Sequence, residues 1–158
     1  EVNPPPLDDA HWMRLALDEA RAAASAGEVP VGCVIVRAGV ELARGANARE
    51  TLKDATAHAE MQAISAACRA ADDWRLTGCD LYVTLEPCPM CLGACLHARL
   101  RRVVYGAREP KFGACGSVVD LRAPPGFNHA LAVDGGVLAE ESSALLKAFF
   151  RDRRASVG

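Results

Sequence analysis

Leu81-Tyr82-Val83-Thr84-Leu85-Glu86-Pro87-Cys88-Pro89-Met90-Cys91 is the stretch whose reading decides the fold. Leu81 to Leu85 is apolar and β-favouring, a short strand. Pro87 ends it, because proline has no N–H to donate to a ladder. A helix from Cys88 to about His97 follows, with proline tolerated in its first turn. Cys88 and Cys91 then share one face of that turn. The unpaired backbone N–H groups and the positive dipole end at a helix start favour thiolates.

The same alternation extends in both directions. Residues 8–26 predict an amphipathic helix, with Asp8 or Asp9 as cap and Gly27 as stop. Val29 to Val36 reads as a strand buried on both faces. Arg37-Ala38-Gly39-Val40 predicts a hairpin turn into a second strand ending near Asn47. Residues 48–56 read as a polar loop. A helix is expected from Thr56 or Ala57 to about Ala71, placing His58 and Glu60 in its first turn. Val103 to Tyr105 is a further strand, and Pro110 to Gly126 reads as loops with one short helix. Leu131 to Val133 reads as a last strand. A final helix is expected over 137–154. These elements predict an α/β fold, a three-layer α/β/α sandwich around a mixed sheet of roughly five strands. One domain over residues 1–158 is expected, with residues 1–7 flexible.

At 158 residues and 51% hydrophobic, the chain can bury one good core and is short for two. No run of about 18 apolar residues exists, so no membrane span is expected. Glu1 to Pro6 has neither the basic nor the apolar region of a signal peptide. Seven cysteines, an odd number without secretory context, predict free or metal-bound thiols and a cytoplasmic location. A net charge of −2 does not advertise nucleic-acid binding by the whole molecule. Basic residues do cluster locally, at Arg99, Arg101, Arg102, Arg108 and Lys111, and at Lys147, Arg151, Arg153 and Arg154. From charge alone these read as solvated faces.

His58-Ala59-Glu60 changes the meaning of the two cysteines. Zinc held by His58, Cys88 and Cys91 would have three protein ligands, and catalytic zinc sites leave the fourth position to water. Glu60 would then be free to move protons. Each part alone is ambiguous: a Cys-x-x-Cys can be redox-active or structural, and a first-turn Glu is commonly a favourable capping charge. Cys95 is the only other candidate ligand, one turn along the same helix and roughly 5–6 Å further on. Cys33, Cys68, Cys79 and Cys115 read as small core residues.

With these residues assembled, the chain resembles the cytidine/deoxycytidylate deaminase superfamily, whose zinc deaminases carry H-x-E…P-C-x-x-C. Within it, the chain is similar to the tRNA-specific adenosine deaminases of the TadA family. Glu28-Val29-Pro30-Val31-Gly32, Asp54-Ala55-Thr56-Ala57-His58-Ala59-Glu60, Val103-Val104-Tyr105-Gly106-Ala107-Arg108, Phe127-Asn128-His129 and Phe149-Phe150-Arg151-Asp152-Arg153-Arg154 all look like family blocks. Two positions depart from the pattern. Ala55 replaces a usual Pro, and Glu109 replaces the Asp of an Arg-Asp-x-Lys segment.

The resemblance implies a cytidine deaminase-like fold and one Zn2+ per subunit on His58, Cys88 and Cys91, with Glu60 as proton shuttle. It implies that Asn47 hydrogen-bonds a flipped base and that Val29, Pro30 and Val31 wall the pocket. Glu109 would face a ribose, with Lys111 in the same segment. Phe149, Phe150 and Arg151 would pack near an RNA loop. The implied partners are a tRNA anticodon stem-loop and a second copy of the chain, with no membrane. The implied reaction is deamination of adenosine to inosine at the wobble position. Two alternatives stand beside it: a deaminase of free bases or nucleosides, and a non-catalytic zinc-containing RNA-binding subunit.

Overall fold

The computed structural model describes residues 7–157, so the expected flexibility of residues 1–6 lies outside the described residues. Five strands form one mixed sheet among the described residues, in the order β2-β1-β3-β4-β5. They are β1 (Gly32–Arg37), β2 (Val40–Ala46), β3 (Cys79–Leu85), β4 (Arg102–Ala107) and β5 (Ala132–Asp134). β1 runs antiparallel to β2 and β3, and β3, β4 and β5 are mutually parallel. The helices are α1 (Asp9–Ser25), α2 (Arg49–Leu52), α3 (Ala59–Ala71), α4 (Pro89–His97) and α5 (Ala139–Val157). None is long and apolar enough to cross a membrane.

Alternation along the strands divides the core in two. Cys33, Ile35, Leu81, Val83, Val103 and Tyr105 face one side and pack with Ala59, Ala63, Leu92 and Leu96 of α3 and α4. Val34, Val36, Tyr82 and Val104 face the other, against Trp12, Met13 and Ala16 of α1 and Leu138 beside α5. Removing a side chain such as the fully buried Leu81 costs about 2–5 kcal/mol.

Two glycines set how closely the helices approach. A Cβ on Gly32 would overlap the Ala16 carbonyl of α1, and one on Gly45 would overlap the Ala59 carbonyl of α3. The second contact matters for function, because Ala59 follows His58 directly. The β1–β2 hairpin turns through Ala38 (φ 50) and Gly39 (φ 74), as a tight turn matched to strand twist requires. Its register shifts between Ile35 and Val36, where Leu42 is the extra residue of a bulge. On the α1 side, Arg102 binds Asp9 and Asp134 at 2.8 and 2.7 Å, tying the start of α1 to β4 and β5.

Several boundaries differ from those the sequence predicts. The expected strand from Val29 begins only at Gly32, because Val29-Pro30-Val31 folds into a tight turn with Val31 N–H donating to the Val29 carbonyl at 2.9 Å. The expected loop over 48–56 contains α2, whose cap comes from a residue far away in sequence (below). The short helix expected between Pro110 and Gly126 is absent, replaced by turns and an isolated bridge between Cys115 and Asp120. α5 begins at Ala139, after Gly136 (φ 91) and Leu138 (φ 53) bend the chain, and continues past residue 154.

Candidate active site

His58 and Cys88 are the N-cap residues of α3 and α4, and neither uses its side chain to cap its own helix. Both have extended backbone (φ −73, ψ 157 and φ −76, ψ 171), so ring and thiol project beyond the helix ends. Cys91 sits in the first turn of α4. The three donor atoms lie within 4.8 Å of one another. His58 Nδ1 is 3.7 Å from Cys88 Sγ and 3.5 Å from Cys91 Sγ. Tetrahedral zinc with Zn–S about 2.3 Å and Zn–N about 2.0–2.1 Å sets N and S ligands about 3.5 Å apart. The donor set therefore fits zinc in both chemistry and spacing.

Electrostatics agree with that reading. Hydrogen bonding from the Cys91 thiol, and then from His58, pulls the Cys88 thiol down to about 4 despite its partial burial. Cys91 is pushed up, first because its proton is shared with Cys88 and then by burial. His58 is raised, chiefly by its bond to Cys88. Cys95 is buried, raised well above the usual thiol range by desolvation, and stands outside the cluster, so among the described residues the cluster offers three ligands.

Glu60 follows in the first turn of α3 and is only 4% exposed. Burial pushes its carboxyl up to about 7, with the Cys88 thiolate adding to the rise and His58 and a Cys91 hydrogen bond opposing it. An acid poised near neutrality both accepts and returns protons efficiently.

The other expected site residues are distributed around this centre. Asn47, at the end of β2, donates from Nδ2 to the Val29 carbonyl at 3.2 Å and accepts the Arg49 N–H at 3.4 Å. It thereby joins the Val29-Pro30-Val31 turn to α2. Pro30 is buried, and Val29 and Val31 are half-buried. Glu109 accepts the Lys111 N–H at 2.9 Å, closing its own turn. Lys111 and Phe150 line a cleft of about 420 Å³ with Leu146, Lys147 and Arg154. Phe149 packs edge-on to Phe150 with ring centroids 5.4 Å apart, and Arg153 lies 5.4 Å over its ring. Arg151 is exposed and pairs with Asp152 at 3.6 Å. Among the described residues, no hydrogen bond or ion pair joins Phe149, Phe150 or Arg151 to the metal cluster.

Two buried carboxylates that sequence reasoning gave no role organise the walls. Glu28, 1% exposed, accepts the Glu50 N–H at 3.0 Å and the Thr51 N–H and hydroxyl at 2.6 Å each. It supplies the cap that Ala48 cannot give α2. Glu86, 2% exposed, accepts N–H groups from Glu109, Cys115 and Ser117. Burial works against both charges, but these hydrogen bonds outweigh it and hold both carboxyls below the usual range. The available signal was an acid set inside an otherwise apolar run, at Glu28-Val29-Pro30 and Leu85-Glu86-Pro87.

A mixed sheet presenting His, Cys and Cys at two helix starts beside a buried Glu defines a zinc-dependent nucleobase deaminase. Residues 7–107 match the cytidine and deoxycytidylate deaminase zinc-binding region, and the chain belongs to that family. It is 49% identical over 146 residues to the tRNA-specific adenosine deaminase of Bacillus subtilis (strain 168), covering 92% of this chain and 91% of that one. It superposes with a TM-score of 0.83, at 48% identity, on a solved structure from work on A-to-I editing by tRNA:A34 deaminases. That alignment covers 86% of this chain and 99% of the other. The guanine deaminase of Nitrosomonas europaea shares the fold with a TM-score of 0.76 at 26% identity, over 94% of this chain and 86% of its own.

Proposed function

We propose that this protein deaminates adenosine to inosine hydrolytically in the anticodon loop of tRNA, at the wobble position. The observation that carries the reading is the His58–Cys88–Cys91 cluster with Glu60 buried beside it. The tRNA substrate is supported by likeness, above all to the Bacillus subtilis tRNA-specific adenosine deaminase.

His58 Nδ1 and the sulfurs of Cys88 and Cys91 would hold zinc, which when bound would supply Lewis acidity that activates water near neutral pH. Glu60 accepts a proton from the attacking water and passes it to N1 of adenine as oxygen adds at C6. It then takes the remaining proton from the C6 hydroxyl and delivers it to the amine, which leaves as ammonia while the C6 carbonyl forms. In the metal-free protein burial holds this carboxyl up to about 7. Asn47 hydrogen-bonds the flipped base, and Val29, Pro30 and Val31 wall the pocket. Glu109 faces the ribose of the target nucleotide. Lys111, Phe149, Phe150 and Arg151 engage the RNA loop, supported by the cleft that Lys111 and Phe150 share. A loop base suits such a site because it is unpaired or cheaply flipped, whereas extrusion from a duplex costs about a few kcal/mol.

The whole chain, residues 1–158, acts as one deaminase domain, supported by two cores built on a single sheet. Free thiols at all seven cysteines support a reducing, cytoplasmic setting. The homodimer rests on the family resemblance.

Incubation with a mixed tRNA pool, followed by sequencing for A-to-I changes, tests the assignment. Edited adenosines at the wobble position support it. Unedited tRNA alongside deaminated free purines would instead favour a free-base deaminase, the reading to which the guanine deaminase likeness lends weight.

A further inference from the structure

The Glu86 carboxylate lies at the centre of a loop whose own pairing is limited to turns and the isolated Cys115–Asp120 bridge. Its Oε1 accepts the Glu109 N–H at 3.1 Å and the Ser117 hydroxyl, and its Oε2 accepts the N–H groups of Cys115 at 2.9 Å and Ser117 at 3.2 Å. The loop passes so close that a Cβ on Gly113 would fall 2.5 Å from the carboxyl carbon. Glu86 is itself fixed to β4 by its N–H on the Ala107 carbonyl at 2.8 Å, and the next residue, Pro87, accepts the Ala114 N–H at 2.9 Å. Cys88 follows immediately. One side chain therefore connects the metal-ligand segment, by covalent bonds, to the turn bearing Glu109 and Lys111, by hydrogen bonds.

We propose that Glu86 is a positioning residue that sets the 109–117 loop against the metal centre, and so governs affinity for the RNA substrate more than the rate of the chemical step. This rests on the RNA reading given above. Converging N–H and O–H donors require an acceptor at both oxygens. A glutamine turns an N–H toward some of these donors in either orientation, leaving buried groups opposed and the loop displaced while the strand and helix keep their own ladders.

The test uses zinc-loaded, full-length Glu86→Gln and Ser117→Ala, with an anticodon stem-loop RNA containing the target adenosine. Glu86→Gln is expected to keep one zinc per chain, with KM raised about tenfold or more and kcat within about threefold. Ser117→Ala, which deletes only the hydroxyl donor, shifts KM the same way by about two- to threefold. Amide exchange should accelerate at Glu109, Cys115 and Ser117 and stay slow in α3 and α4. Unchanged KM in both variants overturns the proposal, as does loss of zinc or kcat with KM retained. Should Glu86→Gln fail to fold, the KM of Ser117→Ala decides alone. If the wild-type protein leaves the RNA untouched, the tRNA reading fails instead, and amide exchange still reports whether Glu86 holds the loop.

Discussion

Nδ1 of His58 lies 3.5 Å from Sγ of Cys91, a residue 33 positions further along the chain. The contact brings the N-termini of α3 and α4 to one point, from opposite ends of a connection that crosses the sheet through β3. Cys88 and Cys91 stand at the start of α4, where the first-turn N–H groups favour thiolates, and His58 and Cys88 keep their side chains clear of capping. Metal chemistry here depends on how the two helices dock as much as on the ligands.

Zinc uptake should release protons. In the metal-free protein Cys88 is already drawn down to about 4 while Cys91 holds its proton, so binding displaces a proton from Cys91. A second, from the raised His58, joins on acidification. Affinity should therefore rise about tenfold per pH unit for each proton displaced. Calorimetry in buffers of different ionisation enthalpy counts the protons, and pH-independent affinity would contradict the assignment. Cys88→Ala should abolish both zinc retention and turnover.

Glu60→Gln should keep zinc and the fold yet lower kcat by about 10²–10⁴-fold, the range typical of a lost general acid–base. Metal analysis alongside an ammonia-release assay checks this. Turnover close to wild type in a zinc-replete variant would remove Glu60 from its role.

The contribution of Glu60 to the stability of the metal-free protein should fall as pH rises from about 5 to 7. It does so against an opposite slope from Cys88, whose depressed thiol favours the folded state as pH climbs above about 4. Burial raises the folded Glu60 carboxyl to about 7, above its unfolded value of about 4.3. Its contribution is complete below the unfolded value and is lost as pH climbs through the folded one. Glu28 and Glu86 have the opposite sign: both are depressed, so their contribution is present above about 4.3 and is lost on acidification through their folded values. Thermal melts across pH should show the first slope vanish in Glu60→Gln.

Gly45→Ala should lower stability by about 1–3 kcal/mol, because the new methyl group drives into the Ala59 carbonyl. Displacing α3 at this point moves His58 as well. The expected result is a lower Tm together with weaker zinc retention, measured by melting and competitive chelation. A glycine-to-alanine change with room for the methyl group, such as Gly93→Ala, where a Cβ meets nothing within 4 Å, is the control.

Replacing Arg154 or Lys147 by Ala should weaken RNA binding and flatten its salt dependence by up to about 0.7 in log–log slope per lost phosphate contact on a single strand. Both line the cleft shared by Lys111 and Phe150. Binding titrations at several salt concentrations measure it. A slope equal to wild type in both would turn that cleft back into a solvated face.

Local chemistry made much of this molecule legible from its residues. The strand–proline–helix pattern at Leu81 to Cys91 put Cys88 at a helix start, and Cys88 is the N-cap of α4. Burial of β1 on both faces was already implied by the apolar run at Cys33 to Val36, which is buried throughout. What escaped were features whose cause lies elsewhere in the chain. α2 forms because Glu28 caps it from 22 residues away, so no local signal marks it. Val29 to Val31 has strand-like composition, but Asn47 binds the Val29 carbonyl and the segment turns.

The sequence by itself determined the donor set of His58, Cys88 and Cys91, its neighbour Glu60, and the order of strands and helices that carries them, because side-chain chemistry and helix or strand periodicity are local properties. Only the tertiary structure decided that the donors meet at tetrahedral spacing, that Glu60 is buried deeply enough to hold its proton near neutrality, and that Glu28 and Glu86 anchor the pocket walls. Those outcomes depend on desolvation and on hydrogen bonds between residues far apart in the chain, and both arise only when the helices close onto the sheet.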